Sequence, residues 1–157
     1  MSTHGAGDAP TLEPIERSDT FVKCYGCGPD NPHGVKLSFG LDRAGERVVA
    51  EWTAPQHFAG YRNFTHGGVI ATLLDEAMGW TLWGVARKLG MTRKLEVTYV
   101  RPVFVGKSYR VIGSFEHRDD DGAILIARIL DGRDRLAAEG RGDFVFVNES
   151  KAADIVG

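Results

Sequence analysis

His66-Gly-Gly-Val-Ile-Ala-Thr-Leu-Leu-Asp-Glu-Ala-Met-Gly79 opens the one long stretch of helical composition in the chain, and its reading decides the fold. From Gly67 to about Lys88, apolar residues recur at helical spacing: Val69, Leu73, Trp80 and Trp83, with Ile70, Leu74, Ala77 and Met78 filling the flanks. A helix apolar over so much of its circumference has to be largely buried.

Outward from this helix the period changes from 3.6 to 2. On the C-terminal side Leu95, Val97 and Tyr99 alternate with Glu96 and Thr98. Tyr109, Val111 and Phe115 alternate with Arg110 and Ser114, and two more runs follow, Ala123 to Leu130 and Leu136 to Asn148. The turns between these last three, Asp119-Asp-Asp-Gly122 and Asp131-Gly-Arg-Asp134, carry Asp-Gly hairpin signals, which predicts an antiparallel meander. On the N-terminal side Val35 to Leu41 and Val48 to Trp52 read as two short strands joined through the turn composition of residues 42–46. One sheet wrapping one apolar helix buries this pattern economically and predicts a single α+β domain. Its expected bounds are 19–148, with a polar, proline-containing tail at 1–18 and a second tail at 149–157.

The bulk numbers fit that architecture. The chain has 157 residues, 43% apolar and 25% charged, enough for one domain with a sizeable core. A formal net charge of -2 gives no electrostatic case for nucleic acid or an acidic membrane surface as partner. No apolar run approaches a membrane span, and no basic start followed by an apolar stretch marks a secretory signal. Two cysteines in such a chain point to reduced thiols and a cytoplasmic location.

Two features of the helix carry chemistry. Gly67 and Gly68 open it, after Thr65 and His66, and the first-turn amides of a helix have no internal partner and sit at its positive end. Glycine lets a ligand approach them, so the site suits a phosphate or a developing oxyanion; alternatively, the two glycines only permit close packing at the turn. Asp75 and Glu76 are the second feature, because a carboxylate in an apolar helix is costly unless paired or functional. Asp75 shares a stripe with Ala71 and Gly79, where small residues leave room for a ligand or second helix; Glu76 lies nearer Thr72 and Trp80 and reads as a paired or rim carboxylate. The alternative is that both make structural salt bridges to Arg93, Lys94 or Arg101. Gly67 and Asp75 stand eight residues apart, roughly 12 Å along the axis, too far to meet one carbonyl from one helix. If both act on one substrate, the Asp comes from a neighbouring antiparallel helix, as a twofold dimer supplies.

These residues resemble the PaaI-like branch of the hotdog-fold thioesterases, in the 4-hydroxybenzoyl-CoA thioesterase superfamily. The matching pieces are Cys24-Tyr-Gly-Cys-Gly28 with Asn31-Pro-His-Gly34, the His66 to Gly79 segment, and Val97-Thr-Tyr-Val-Arg-Pro-Val103; with the strand order they cover about residues 20 to 148. The resemblance implies a hotdog fold that dimerises side by side and often pairs again into tetramers. It implies hydrolysis of an acyl-CoA thioester to a carboxylate and free CoA, with no cofactor beyond the CoA of the substrate. Carried over by position, the Gly67 amide would polarise the carbonyl and Asp75 would act as general base, or as nucleophile through an anhydride. Thr92 falls where relatives often have a hydroxyl that orients water, and His66 would fix the loop or touch the sulfur side. One departure is that Gly60 stands where some relatives carry an Asn, while Asn63 stands where Gly is common; whether Asn63 substitutes is left open.

Other readings compete with this one. Cys24 and Cys27, with His33 close by, invite a zinc reading, but a structural zinc usually takes four ligands and the sequence offers no second pair, so no metal is expected. Trp80 and Trp83 either line an acyl pocket or fill the core. A non-catalytic acyl-CoA binder on the same fold is the alternative function; it would need no carboxylate at Asp75.

Overall fold

The apolar stripe forms helix α1, Gly67–Ala86, and nearly all of its large side chains are buried. The computed structural model of the chain describes residues 10–148; the expected C-terminal tail and the first nine residues of the N-terminal one lie outside these. His66 caps α1, its Nδ1 accepting the Gly68 N–H at 2.9 Å. The helix stops two residues short of Lys88, because Arg87 turns left-handed (φ 53°) and the Arg87 and Lys88 amides close back on the Trp83 and Leu82 carbonyls.

Around α1 wraps one antiparallel sheet: β1 (Glu13–Pro14), β2 (Gly40–Asp42), β3 (Arg47–Thr53), β4 (Gly90–Tyr99), β5 (Ser108–Arg118), β6 (Gly122–Leu130) and β7 (Leu136–Phe146), in the order β1-β2-β3-β5-β6-β7-β4. The meander expected from the Asp-Gly turns is β5-β6-β7, and in the first turn Asp119 Oδ1 accepts the amides of Asp121 and Gly122. Leu73, Leu74, Ala77 and Met78 meet Val111, Leu125, Ala127 and Ile129, all fully buried. Two strand glycines let α1 lie this close: a Cβ on Gly113 would stand 2.4 Å from the Ala77 carbonyl oxygen, and one on Gly142 would stand 2.4 Å from Met78 Sδ.

The sequence reading is corrected in two places. Val35, Leu37 and Phe39 alternate as a strand should, but only Gly40–Asp42 joins the sheet. Lys36 sits at φ 59°, and the Val35 and Leu37 amides bond to the Tyr25 and Gly26 carbonyls, so this segment braces the cysteine loop instead. Second, residues 13–18, assigned to a tail, lie on the fold. Glu13 and Pro14 pair with Leu41 and Gly40, Ile15 packs on the core, and Trp83 Nε1 donates to the Glu16 carbonyl at 2.8 Å.

At the far end of the sheet β4 pairs with β7 alone, and Met91, Tyr99 and Val100 are exposed there. Among the described residues no helix is long and apolar enough to cross a membrane.

Candidate active site

The loop before α1 is held by its backbone: His66 N–H donates to Phe58 O (2.9 Å), Thr65 N–H to Val103 O (2.7 Å) and Gly60 N–H to Phe64 O (2.8 Å). Gly60 packs against His66, where a Cβ would stand 3.1 Å from its Cα. With the loop fixed, the first-turn amides have defined fates. Val69 and Ile70 donate to the His66 carbonyl and Gly68 to His66 Nδ1, while the Gly67 N–H meets no acceptor among the described residues. The Gly67 carbonyl accepts the Tyr99 hydroxyl at 2.7 Å, which ties the helix start to β4.

Packing separates the two glycines. A Cβ on Gly68 would press on His66 Nδ1 at 3.2 Å, whereas one on Gly67 would make only ordinary contact with Tyr99, at 3.5 Å. The close-packing explanation therefore holds for Gly68 and finds no support at Gly67. Gly67 lies in a groove of about 330 Å³ with Phe64, Thr65, Ile70, Tyr99 and Val103. The Thr65 hydroxyl is buried there and has no partner among the described residues.

Asp75 occupies a second cleft. Thr92 Oγ1 donates to Asp75 Oδ1 at 2.7 Å. The cleft, about 430 Å³, runs along Gly68, Ala71, Thr72 and Asp75 of α1 and is closed on one side by Thr92 and Leu95. Strand parity alone would put Thr92 and Leu95 on opposite faces. A bulge reconciles them: Thr92 pairs with Phe144 and Lys94 with Asp143, so Arg93 is an extra residue. Thr92 thereby joins Leu95, Val97 and Tyr99 on the face turned to the helix.

The salt-bridge alternative fails on the partners it named. Arg93 pairs with Asp143 (2.9 Å), Lys94 with Glu96 (3.0 Å), and Arg101 donates to the Leu136 carbonyl (2.8 Å). Asn63 is exposed and lines neither groove; its carbonyl accepts the Val105 amide.

Glu76 departs from the expected rim carboxylate. It turns inward to the cysteine loop, where Oε1 and Cys24 Sγ stand within hydrogen-bond distance at 3.4 Å. Burial, then the charge on Cys24, lifts its carboxyl to about 8. Cys24 is lowered to about 5, first by the hydrogen bond from the Cys27 thiol and further by the Cys27 and Gly26 amides. Cys27, which gives that hydrogen bond and is more buried, is raised. Gly26 has to be glycine, since a Cβ would overlap Glu76 Cγ at 2.1 Å. Of the tryptophans, Trp80 fills the core and Trp83 is half-buried at its edge.

Tyr99 and the Cys24–Gly26 loop are site elements that sequence reasoning did not assign. Tyr99 carried a usable signal, its alternation with Val97 and Leu95. The loop carried none toward Glu76, which lies 49 residues beyond Cys27.

The fold and the motif have counterparts among known proteins. Residues 62–138 match the thioesterase superfamily. The acyl-coenzyme A thioesterase THEM4 of Mus musculus is 24% identical over 91 residues, 58% of this chain and 37% of that protein. The chain spans less than half the length of the curated relatives it matches. Among solved structures, a thioesterase superfamily protein superposes with a TM-score of 0.73 at 24% identity, over 90% of this chain and 70% of that one. A hypothetical thioesterase of Streptococcus pneumoniae, solved with coenzyme A, gives 0.65 at 17% identity, over 71% and 86% of the two chains. The family match runs from the loop before α1 into β7, and the helix-in-sheet architecture is shared well beyond it, so the chain has the hotdog fold and is similar over residues 62–138 to the thioesterase superfamily.

Proposed function

We propose that this chain hydrolyses an acyl-CoA thioester to a carboxylic acid and free CoA, at sites built between two copies of the chain. The observation that carries the reading is Asp75 itself: an acceptor oriented by the Thr92 hydroxyl, in an open cleft beside small residues, with no cationic partner among the described residues. A merely structural carboxylate would be paired.

In this reading the Gly67 N–H donates to the thioester carbonyl oxygen, which carries increasing negative charge as the carbon becomes tetrahedral. Thr92 holds one oxygen of Asp75, leaving the other to accept a proton from water as the water oxygen attacks. The C–S bond then breaks, the acid leaves, and the CoA sulfur takes up a proton. Attack by Asp75 itself, through an anhydride that water opens, uses the same atoms. His66 Nδ1 is committed to the Gly68 amide, so its part is to hold the loop and present Nε2 to substrate. No metal ion or cofactor has a role in these steps.

Gly67 and Asp75 lie in separate grooves, roughly 12 Å apart along α1, so one carbonyl meets the Gly67 of one copy and the Asp75 of the other. The open edge of β4, with Met91, Tyr99 and Val100 exposed, is the surface through which the copies would join, and a dimer of dimers is the expected extension. The mouse relative's name and the coenzyme A in the Streptococcus pneumoniae structure support the CoA part of the substrate. The two free thiols suit a cytoplasmic setting.

The test is a panel of short, medium, long and aromatic acyl-CoAs followed by thiol release. At least one is expected to be hydrolysed by the wild-type chain and spared by Asp75→Asn. Binding of acyl-CoA without turnover of any member would instead assign a non-catalytic binder.

A further inference from the structure

We infer that Cys24, Cys27 and Glu76 form a three-ligand site for a thiophilic divalent cation, Zn(II) in the first place, which ties the 24–28 loop to α1. Cys24 Sγ, Cys27 Sγ and a Glu76 oxygen all lie within 4.8 Å of one another, with 3.4 Å between Cys24 Sγ and Oε1. A tetrahedral zinc with sulfur at about 2.3 Å and oxygen at about 2.0–2.2 Å separates its ligand atoms by roughly 3.5–3.8 Å. The three atoms therefore need only small adjustments to share one ion.

The loop is a closed turn, with the Gly28 N–H on the Cys24 carbonyl at 2.8 Å. Gly28 cannot carry a side chain there, because a Cβ would stand 2.4 Å from the Cys24 nitrogen. The Tyr25 and Gly26 carbonyls are anchored by Val35 and Leu37, so the ligands are held before any ion arrives. Without an ion, three acidic groups converge on a half-buried spot. Arg17, the cation that touches the loop, gives its guanidinium to the Cys27 carbonyl and the Trp80 ring instead. A dication in the cluster would offset two thiolates and a carboxylate, displacing the protons they carry.

Two sulfurs favour zinc over magnesium or calcium. The fourth position falls to water from the adjoining cavity of about 150 Å³, bordered by Phe21, Gly79, Trp80 and Trp83. The sequence offers one cysteine pair for zinc, and the fold brings a third ligand, Glu76, from α1. This site does not depend on the thioesterase reading, and its readout is metal binding rather than turnover.

The experiment titrates the reduced, chelator-stripped full chain with Co(II) and then Zn(II). One cobalt per chain is expected, with a thiolate-to-cobalt charge-transfer band and the intense visible bands of a four-coordinate site, both erased by one equivalent of zinc. Cys24→Ser should remove much of the charge-transfer intensity. Glu76→Gln, which keeps both thiolates, should weaken zinc by about tenfold or more, the scale on which even supporting groups of metal sites act. His33→Ala, outside the cluster, should bind as wild type. Cys27 is buried, so its variant is read only if circular dichroism shows it folded; the two half-buried positions decide otherwise. No uptake of either ion by the reduced chain, a Cys24–Cys27 disulfide as the sole event, or wild-type affinity in Glu76→Gln would overturn the site.

Discussion

Thr92→Val is the most informative single change in the proposed site, because it removes one hydroxyl and almost no volume. Valine is as much at home in a strand as threonine, so β4 and its bulge should persist. What is lost is the 2.7 Å hydrogen bond to Asp75. A hydrogen bond to a charged group contributes about 1.5–3 kcal/mol, and this pair faces an open cleft with Thr92 exposed, which places it at the lower end. About 1.5 kcal/mol corresponds to about a tenfold fall in kcat, since 1.36 kcal/mol is a factor of ten. Asp75→Asn should lower kcat by about 10²–10⁴. In the Asp75→Asn background the second substitution should cost about twofold or less, because the partner it acted on has gone. The assay is thiol release under saturating acyl-CoA, with KM followed separately and Thr92→Ser as the variant that restores the hydroxyl. A full tenfold loss in both backgrounds would refute the coupling and assign Thr92 to substrate binding or to the strand.

Two further expectations follow from named contacts. In subunit exchange, a chain carrying Asp75→Asn mixed with one carrying Gly67→Leu should recover about a quarter of wild-type activity, since half the pairs are heterodimers with one intact site each; the leucine has room for its Cβ but then meets Tyr99, so folding is checked first, and no recovery in heterodimers confirmed by mass would place each site within one chain. Arg47, with the Gly45 amide, holds the Asp42 carboxyl below the usual carboxylate range. A depressed folded value means that its contribution is present above the ordinary value of about 4 and is lost as pH falls through the lowered one. Asp42→Asn should therefore unfold at lower urea than wild type at pH 7, and the gap should narrow at about pH 3; an equal gap at both would show that charge is not the cause.

How much of this was legible depended on the range of the interaction involved. The helix and the meander were, because periodicity and Asp-Gly turns are local: α1, β6 and β7 stand within two residues of where the pattern placed them, and β5 runs three residues past Phe115. Val35 to Phe39 misled for a physical reason. Their alternation does report burial, but burial against the cysteine loop, and a sequence cannot say which backbone a strand-like segment will pair with. Residues 13–18 misled because their polar composition hid two anchors, the β1–β2 pairing and the Trp83 hydrogen bond.

The candidate site divides along the same line. Gly67, Gly68 and Asp75 were visible because one helix carries all three. Thr92 was reached by resemblance, and its contact to Asp75 rests on something sequence parity argues against. With Leu95, Val97 and Tyr99 turned to the helix, an unbroken strand would send Thr92 outward; the extra residue at Arg93 turns it back. Glu76 shows the opposite case. It sits beside Asp75 in sequence, yet about 100° of helical rotation carries it out of the proposed chemistry and into the cysteine loop. Adjacent carboxylates on α1 thus serve two places: Asp75 faces solvent and Thr92, and Glu76 faces sulfur. The Cys24–Gly28 loop touches both, since Cys24, Tyr25 and Gly26 border the Asp75 cleft while the Cys24 and Cys27 thiols meet Glu76. An ion that fixed the loop would therefore also fix one wall of the cleft in which Asp75 is proposed to act.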